Sequence, residues 1–289
     1  MNYHEVPLVF ACENCRLVGI ATIPEAPSTI GVLIIVGGPQ YRSGSHRQFT
    51  LLARDLARDG FASLRFDYRG MGDSEGALRN FETVSDDVKA AIDAFLATTQ
   101  SIRHIVIWGL CDAASAALFY AHTDSRVQGL ILLNPWVHSE AGAGRARIKH
   151  YYLTRFLQRS FWAKFFSGQV KVAASVSELL KGIRYFFADK PKPSSQLNPS
   201  FPGENVSYIE RMLAGLTLYS GHVLFILSGN DLTSQEFREL VRSDKGWQAA
   251  CESTRVEQCL LPDANHTFST RIHRDQASDI TRQWLAKLT

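Results

Sequence analysis

The sequence predicts an α/β chain, a mostly parallel sheet with helices on both faces, interrupted by a helical insertion. Three observations lead there. Continuous apolar runs recur along the chain, "TIGVLIIVGG", "FASLRFDYRG", "IRHIVIWGL", "VQGLILLNP" and "HVLFILSGND", each with the length and β-branched content of a strand buried on both faces. Segments with apolar residues at helical spacing fill the intervals, which makes βαβ units. The alternation then stops over residues 137–215, a stretch rich in aromatic and basic side chains that becomes Pro- and Ser-rich near 190–202.

The expected organisation is a core of residues 1–136 and 216–289 with a helical insertion at 137–215. A chain of 289 residues suits one large domain with an insertion. Its 45% hydrophobic and 20% charged residues are those of an ordinary soluble globular protein.

The first thirty residues carry two short apolar runs, "PLVFAC" and "RLVGIATIP", which predict an antiparallel hairpin turning at Glu13-Asn14. Cys12 and Cys15 form a C-x-x-C across that turn. No second Cys pair or His pair with zinc spacing answers it, so both are expected as turn-flanking residues, not metal ligands. The five cysteines are an odd number scattered through the chain, unlike a secreted disulfide framework. Cys251 and Cys259 are expected as plain core or surface thiols.

After Pro27 the first parallel strand runs to Gly37-Gly38. "HRQFTLLARDLARDG" predicts a helix stopping at Gly60, and "VSDDVKAAIDAFLA" predicts one with Ser85 as N-cap and acids in its first turn. In such folds ligands bind at the carboxyl ends of the strands.

At "IVIWGLCDAASAAL" a strand runs into Gly109, Cys111 and Ala113 and then a small-residue helix. This fits the G-x-nucleophile-x-G turn, whose central residue takes a strained backbone and pushes its side chain out above the sheet. Ala113 stands where Gly is usual, but Ala114, Ser115, Ala116 and Ala117 keep the helix face small. The helix N-terminus favours a thiolate, the reactive form of a thiol.

A nucleophile needs a base, an orienting acid and oxyanion donors. Asp231 follows the strand "HVLFILSGND", and His266 lies in the loop after "VEQCLLPDANHTF". Asp263 is the rival acid, and His46, after the Gly-Gly loop, is a further residue that could face the site. His4, His104, His122, His138, His150, His222 and His273 lack comparable placement. Gly38, with Gln40 second, is the expected first oxyanion donor, and the N–H of Asp112 the other; Pro39 has no N–H to offer.

These residues resemble a family. "VGGP" resembles the His-Gly-x-Pro oxyanion loop of α/β-hydrolases, with Val36 in place of the His. "FDYRGMGDSEG", from Asp67 through Arg69, Gly70, Gly72 and Ser74 to Gly76, resembles their Asp-x-Arg-Gly-x-Gly-x-Ser-x-Gly loop. The resemblance covers essentially the whole chain outside the insertion, and the order nucleophile, acid, His agrees with it. It implies the α/β-hydrolase fold, an insertion acting as a cap, and an Arg-Gly loop that positions the core, with no catalytic role for Asp67, Arg69 or Ser74. "VGGPQYRSGSHRQF" with "WGLCDAAS" more narrowly resembles the exosortase A system-associated hydrolase type 1 proteins. That implies a cytosolic bacterial enzyme encoded beside exopolysaccharide and protein-sorting functions.

The expected activity is hydrolysis of an ester or thioester through Cys111, His266 and Asp231, with no metal and no organic cofactor. Two alternatives stay open: an acyltransferase using the same residues, and a non-catalytic binding protein on the same scaffold. The formal charge of +3 is too mild for nucleic acid. Residues 137–220, however, hold twelve Lys and Arg against five acids, leaving the core net acidic. A basic, aromatic cap suits an anionic or lipid-like acyl substrate, or contact with an anionic membrane surface, as well as a plain solvated face. The N-terminus has no basic-then-apolar leader pattern and no run of about 18 apolar residues occurs, so a cytoplasmic location is expected. The oligomeric state is left open.

Overall fold

The computed structural model describes residues 2–38, 40–138 and 206–289. Eight strands form one sheet: β1 (Tyr3–Cys12), β2 (Cys15–Pro24), β3 (Ile30–Ile35), β4 (Ala62–Asp67), β5 (His104–Leu110), β6 (Val127–Leu133), β7 (His222–Ser228) and β8 (Val256–Leu261). Their spatial order is β1-β2-β4-β3-β5-β6-β7-β8. The β1–β2 hairpin is antiparallel and joins β4 antiparallel, and every later pairing is parallel. This is the α/β-hydrolase fold.

The predicted hairpin turns where expected, with Cys12 opposite Cys15 and Glu13 at φ 51°. Strands β3, β4 and β5 are buried almost throughout because helices cover both faces. Alternate residues go to opposite sides. Leu33, Ile35, Phe66, Ile107, Leu132 and Phe225 pack on one face, while Val32, Ile34, Trp108, Ile131 and Ile226 pack on the other. Burial of each such side chain contributes about 1.5–3 kcal/mol. The β8 edge strand is half-exposed, and its run "VEQCLL" accordingly mixes polar with apolar residues.

Helix α1 (Gln48–Arg58) turns Phe49, Leu52 and Leu56 inward, and Phe49 meets Trp108 edge-on with ring centroids 5.6 Å apart. Helix α2 (Ser85–Thr98) begins one residue earlier than expected. Ser85 is its first helical residue and Val84 holds the capping position without a side-chain hydrogen bond. Val84 is buried, and a 3-10 turn at Phe81–Thr83, capped by Asn80, delivers the chain there. Apolar anchoring thus replaces the hydroxyl cap that the sequence suggests.

The Arg-Gly loop positions the core, as the resemblance implies. Asp67 ion-pairs with Arg42 and accepts the Arg42 N–H at 2.6 Å and the Asp73 N–H at 3.1 Å. Ser74 Oγ donates to the Asp67 carbonyl at 2.6 Å and accepts the Val18 N–H at 2.9 Å. Gly72, at φ 51°, must be glycine, since a Cβ there would stand 2.2 Å from Asp67 Oδ2. Arg69 grips Asp87 of α2 through Nε and Nη2, both residues buried.

The chain divides into two compact units, residues 1–137 with 207–289, and residues 138–206. Residues 139–205, most of the expected insertion, lie outside the described residues. Residues 207–215, counted with the insertion in the sequence, begin a core helix instead. Helix α4 (Tyr208–Leu218) opens on a capping box between Ser207 and Glu210 and buries Met212, Gly215 and Leu216. A Cβ at Gly215 would lie 2.0 Å from the Leu118 carbonyl, so α4 crosses its neighbour at a glycine. That neighbour is α3 (Asp112–Tyr120), and α5 (Leu232–Ser243), α6 (Lys245–Cys251) and α7 (Arg271–Ala286) complete the core. No described helix is long and apolar enough to cross a membrane.

Candidate active site

The parallel strands end on one edge of the sheet, and the turn after β5 is the sharpest feature there. Cys111 sits between β5 and α3 at φ 64°, ψ −125°, a backbone state that costs a non-glycine residue on the order of 1–3 kcal/mol. The surroundings hold it there. Its N–H donates to the Leu133 carbonyl at 2.8 Å, and its carbonyl accepts from Ala114, Ser115 and Trp136. Ser115 Oγ donates to the Trp136 carbonyl at 2.8 Å. Gly109 leaves no room for a side chain, since a Cβ would be 2.8 Å from the Ala113 backbone. Ala113 itself is buried and its methyl fits, so the Gly usual at that place is not required.

His266 comes from the loop between β8 and α7, and its ring meets both expected partners. Nδ1 lies 3.0 Å from Asp231 Oδ2, and the Cys111 side chain is near enough to act on the ring's titration. Asp231 caps α5, accepting the N–H groups of Thr233 at 3.3 Å and Ser234 at 3.0 Å. Those amides fix the carboxylate, and the carboxylate fixes the imidazole. The Asp231 hydrogen bond, then the Cys111 side chain, push the His266 pKa up to about 10 against the opposing effect of burial. The ring is therefore an imidazolium at neutral pH.

The rival placements separate from this cluster. Asp263 is exposed on its turn while Asp231 is the carboxylate on the imidazole. His46 is exposed in the 3-10 turn Ser45–Arg47.

The oxyanion candidates converge, but with their donors engaged. The Gly38 N–H donates to Asp112 Oδ1 at 2.7 Å. The Gln40 N–H donates to the Gly38 carbonyl at 2.8 Å and its Oε1 accepts the Ser45 N–H at 2.9 Å, which commits Gln40 to shaping the loop. Burial raises the Asp112 pKa, against the lowering effect of the Gly38 N–H and the neighbouring backbone.

One residue of the site escapes sequence reading. Asn134, fully buried at φ 45° just after β6, accepts the Ser228 N–H at 2.8 Å and donates to Ser228 Oγ at 2.9 Å and the His266 carbonyl at 3.1 Å. It ties two strand ends to the histidine loop. The signal available was a polar residue closing an apolar strand in "LLNPW".

Burial pushes the thiols of Cys12 and Cys251 up to about 11, which makes them poor nucleophiles at neutral pH. Among the described residues no group of three or more His, Cys, Asp or Glu is gathered to hold a metal ion.

Residues 28–267 match the family model described as serine aminopeptidase, S33. A 94-residue stretch is 34% identical to the quorum-quenching protein AidA of Acinetobacter baumannii, spanning 31% of each chain. The Pyrococcus furiosus esterase Pf2001 superposes with a TM-score of 0.65 at 16% identity, covering 99% of this chain and 93% of that one. Est1E of Butyrivibrio proteoclasticus, with ferulic acid bound, gives 0.63 at 13% identity over 97% and 98%.

Proposed function

Because this chain belongs to the serine aminopeptidase S33 family of α/β-hydrolases, we propose that it hydrolyses an ester or thioester through a Cys111-His266-Asp231 triad. The observation that carries this reading is the His266–Asp231 pair, 3.0 Å apart, whose imidazole titration is moved by the Cys111 side chain on its strained elbow. The family's name speaks of serine, whereas sulfur stands at the elbow here.

The Cys111 sulfur attacks the acyl carbon while the imidazolium of His266 gives its proton to the departing alcohol or thiol. A thioester on Cys111 remains. Neutral His266 then takes a proton from water as that water attacks the thioester carbon, and the acid leaves with the Cys111 sulfur and the protonated His266 ring restored. Asp231 keeps the ring in the tautomer and orientation both steps need. The Gly38 and Asp112 amides hold the oxyanion, each such donor contributing about 10²–10³ in rate.

The basic and aromatic composition of residues 137–215 supports an anionic or lipid-like acyl group as the substrate. The resemblance to exosortase A system-associated hydrolases supports a cytoplasmic role linked to exopolysaccharide and exosortase systems. The test is a screen of short- and long-chain acyl esters and thioesters, with Cys111→Ala alongside. Turnover by the wild type and none by the variant supports the reading; equal turnover refutes it.

A further inference from the structure

An acid in the first turn of a helix ordinarily complements the helix dipole from the solvent side. Asp112, first residue of α3, does something different. Its carboxylate turns back across the elbow and accepts the Gly38 N–H at 2.7 Å. That amide is one of the two donors that the proposed mechanism requires for the acyl oxygen. A carboxylate oxygen held by a backbone N–H has the charge and hydrogen bonding of the tetrahedral oxyanion.

An independent feature shows that the backbone is shaped around this carboxylate. A Cβ at Gly37 would stand 2.4 Å from Asp112 Oδ1 and 2.3 Å from the Leu110 carbonyl. Glycine there leaves space that the Asp112 side chain occupies.

We propose that the Asp112 side chain is a built-in occupant of the oxyanion hole, a gate that must swing aside before Cys111 can be acylated. The proposal rests on the triad reading above and adds a residue that regulates access to it. In the resting protein the carboxylate occupies the Gly38 N–H and places negative charge where an oxyanion would form, so an acyl carbonyl meets that donor already engaged. Once the side chain rotates out, its backbone N–H stays in place and becomes available with that of Gly38.

The test compares wild type with Asp112→Ala and Asp112→Asn. Two rates at Cys111 are followed by intact-protein mass: acetylation by p-nitrophenyl acetate, which draws on the oxyanion amides, and alkylation by iodoacetamide, which does not. Alanine removes both the charge and the acceptor. Asparagine removes the charge but keeps an oxygen able to accept the Gly38 N–H. The gate predicts an acetylation-to-alkylation ratio at least about tenfold above wild type for Asp112→Ala, and within about threefold of wild type for Asp112→Asn, whose amide still accepts that bond. Equal ratios in all three proteins, or Asp112→Asn matching Asp112→Ala, overturn it, the latter by assigning the effect to charge alone. A shared ratio with Cys111 acetylated removes the gate and leaves the triad; no acetylation of Cys111 in any of the three removes both.

Discussion

Nδ1 of His266 lies 3.0 Å from Oδ2 of Asp231, although the two residues are 35 apart in sequence and sit in loops after different strands. Asp231 serves two structures at once, since the same carboxylate caps α5 through the Thr233 and Ser234 amides. Asp231→Asn keeps a capping oxygen and removes the charge opposite the imidazole. The expected outcome is a loss in kcat/KM of about 10³–10⁴-fold with little change in Tm, read by steady-state kinetics beside thermal melting. A change in Tm without a loss of rate would assign the pair to structure alone.

The raised His266 pKa makes stability depend on pH. An unfolded imidazole titrates near 6.5 and the folded one near 10, so folding favours the protonated ring. Its contribution is fully present below about pH 6.5 and is lost as pH climbs through 10. Urea midpoints measured from pH 6 to 10.5 should fall more in wild type than in His266→Ala. In Cys111→Ala, which lacks one of the two side chains that raise the pKa, the fall should be complete at lower pH. Parallel curves for all three proteins would contradict the assignment.

Asn134 is expected to matter to both stability and rate. Asn134→Ala leaves the buried Ser228 N–H without its acceptor and frees the His266 loop, at about 1–3 kcal/mol. Chemical denaturation should show that loss. The folded variant should also have a lower kcat with a smaller change in KM, because the base is no longer held toward the elbow; an unchanged kcat would limit Asn134 to the fold.

Arg69 and Asp87 form a buried ion pair far from the reacting atoms in role. Removing one partner, as in Asp87→Ala, leaves Glu13, 2.5 Å from Arg69 Nη1, as the remaining close carboxylate, so the loss should fall below the roughly 3–5 kcal/mol of a fully stranded buried charge. Replacing both, as Arg69→Met with Asp87→Leu, should recover part of that loss. Equilibrium unfolding of the three variants checks it, and a double variant no more stable than Asp87→Ala would show that the pair's value lies in fixing the loop.

Much of this was legible in the sequence where one physical cause dominates. The runs that became β3, β5, β6 and β7 are apolar throughout because both sheet faces are covered, and Gly109-x-Cys111 marks a turn that tolerates little beyond small neighbours. Asp231 and His266 were legible as strand-end residues. The start of α2 was misread because the burial of Val84, a tertiary effect, decided it over the capping tendency of Ser85. Helix α4 was assigned to the insertion because composition around 206 does not reveal that Gly215 will meet Leu118. Asn134 and the Asp112 carboxylate were out of reach for a shared reason: each acts by joining segments distant in the chain, 94 residues apart for Asn134 and Ser228 and 74 for Gly38 and Asp112.

The most direct measurement is the mass of the intact protein during turnover of an acyl ester, followed by mapping of the modified peptide. The account predicts a transient acyl adduct on Cys111, absent from Cys111→Ala and long-lived in His266→Ala if it forms there at all. An adduct on another residue, or undiminished turnover by Cys111→Ala, would contradict it.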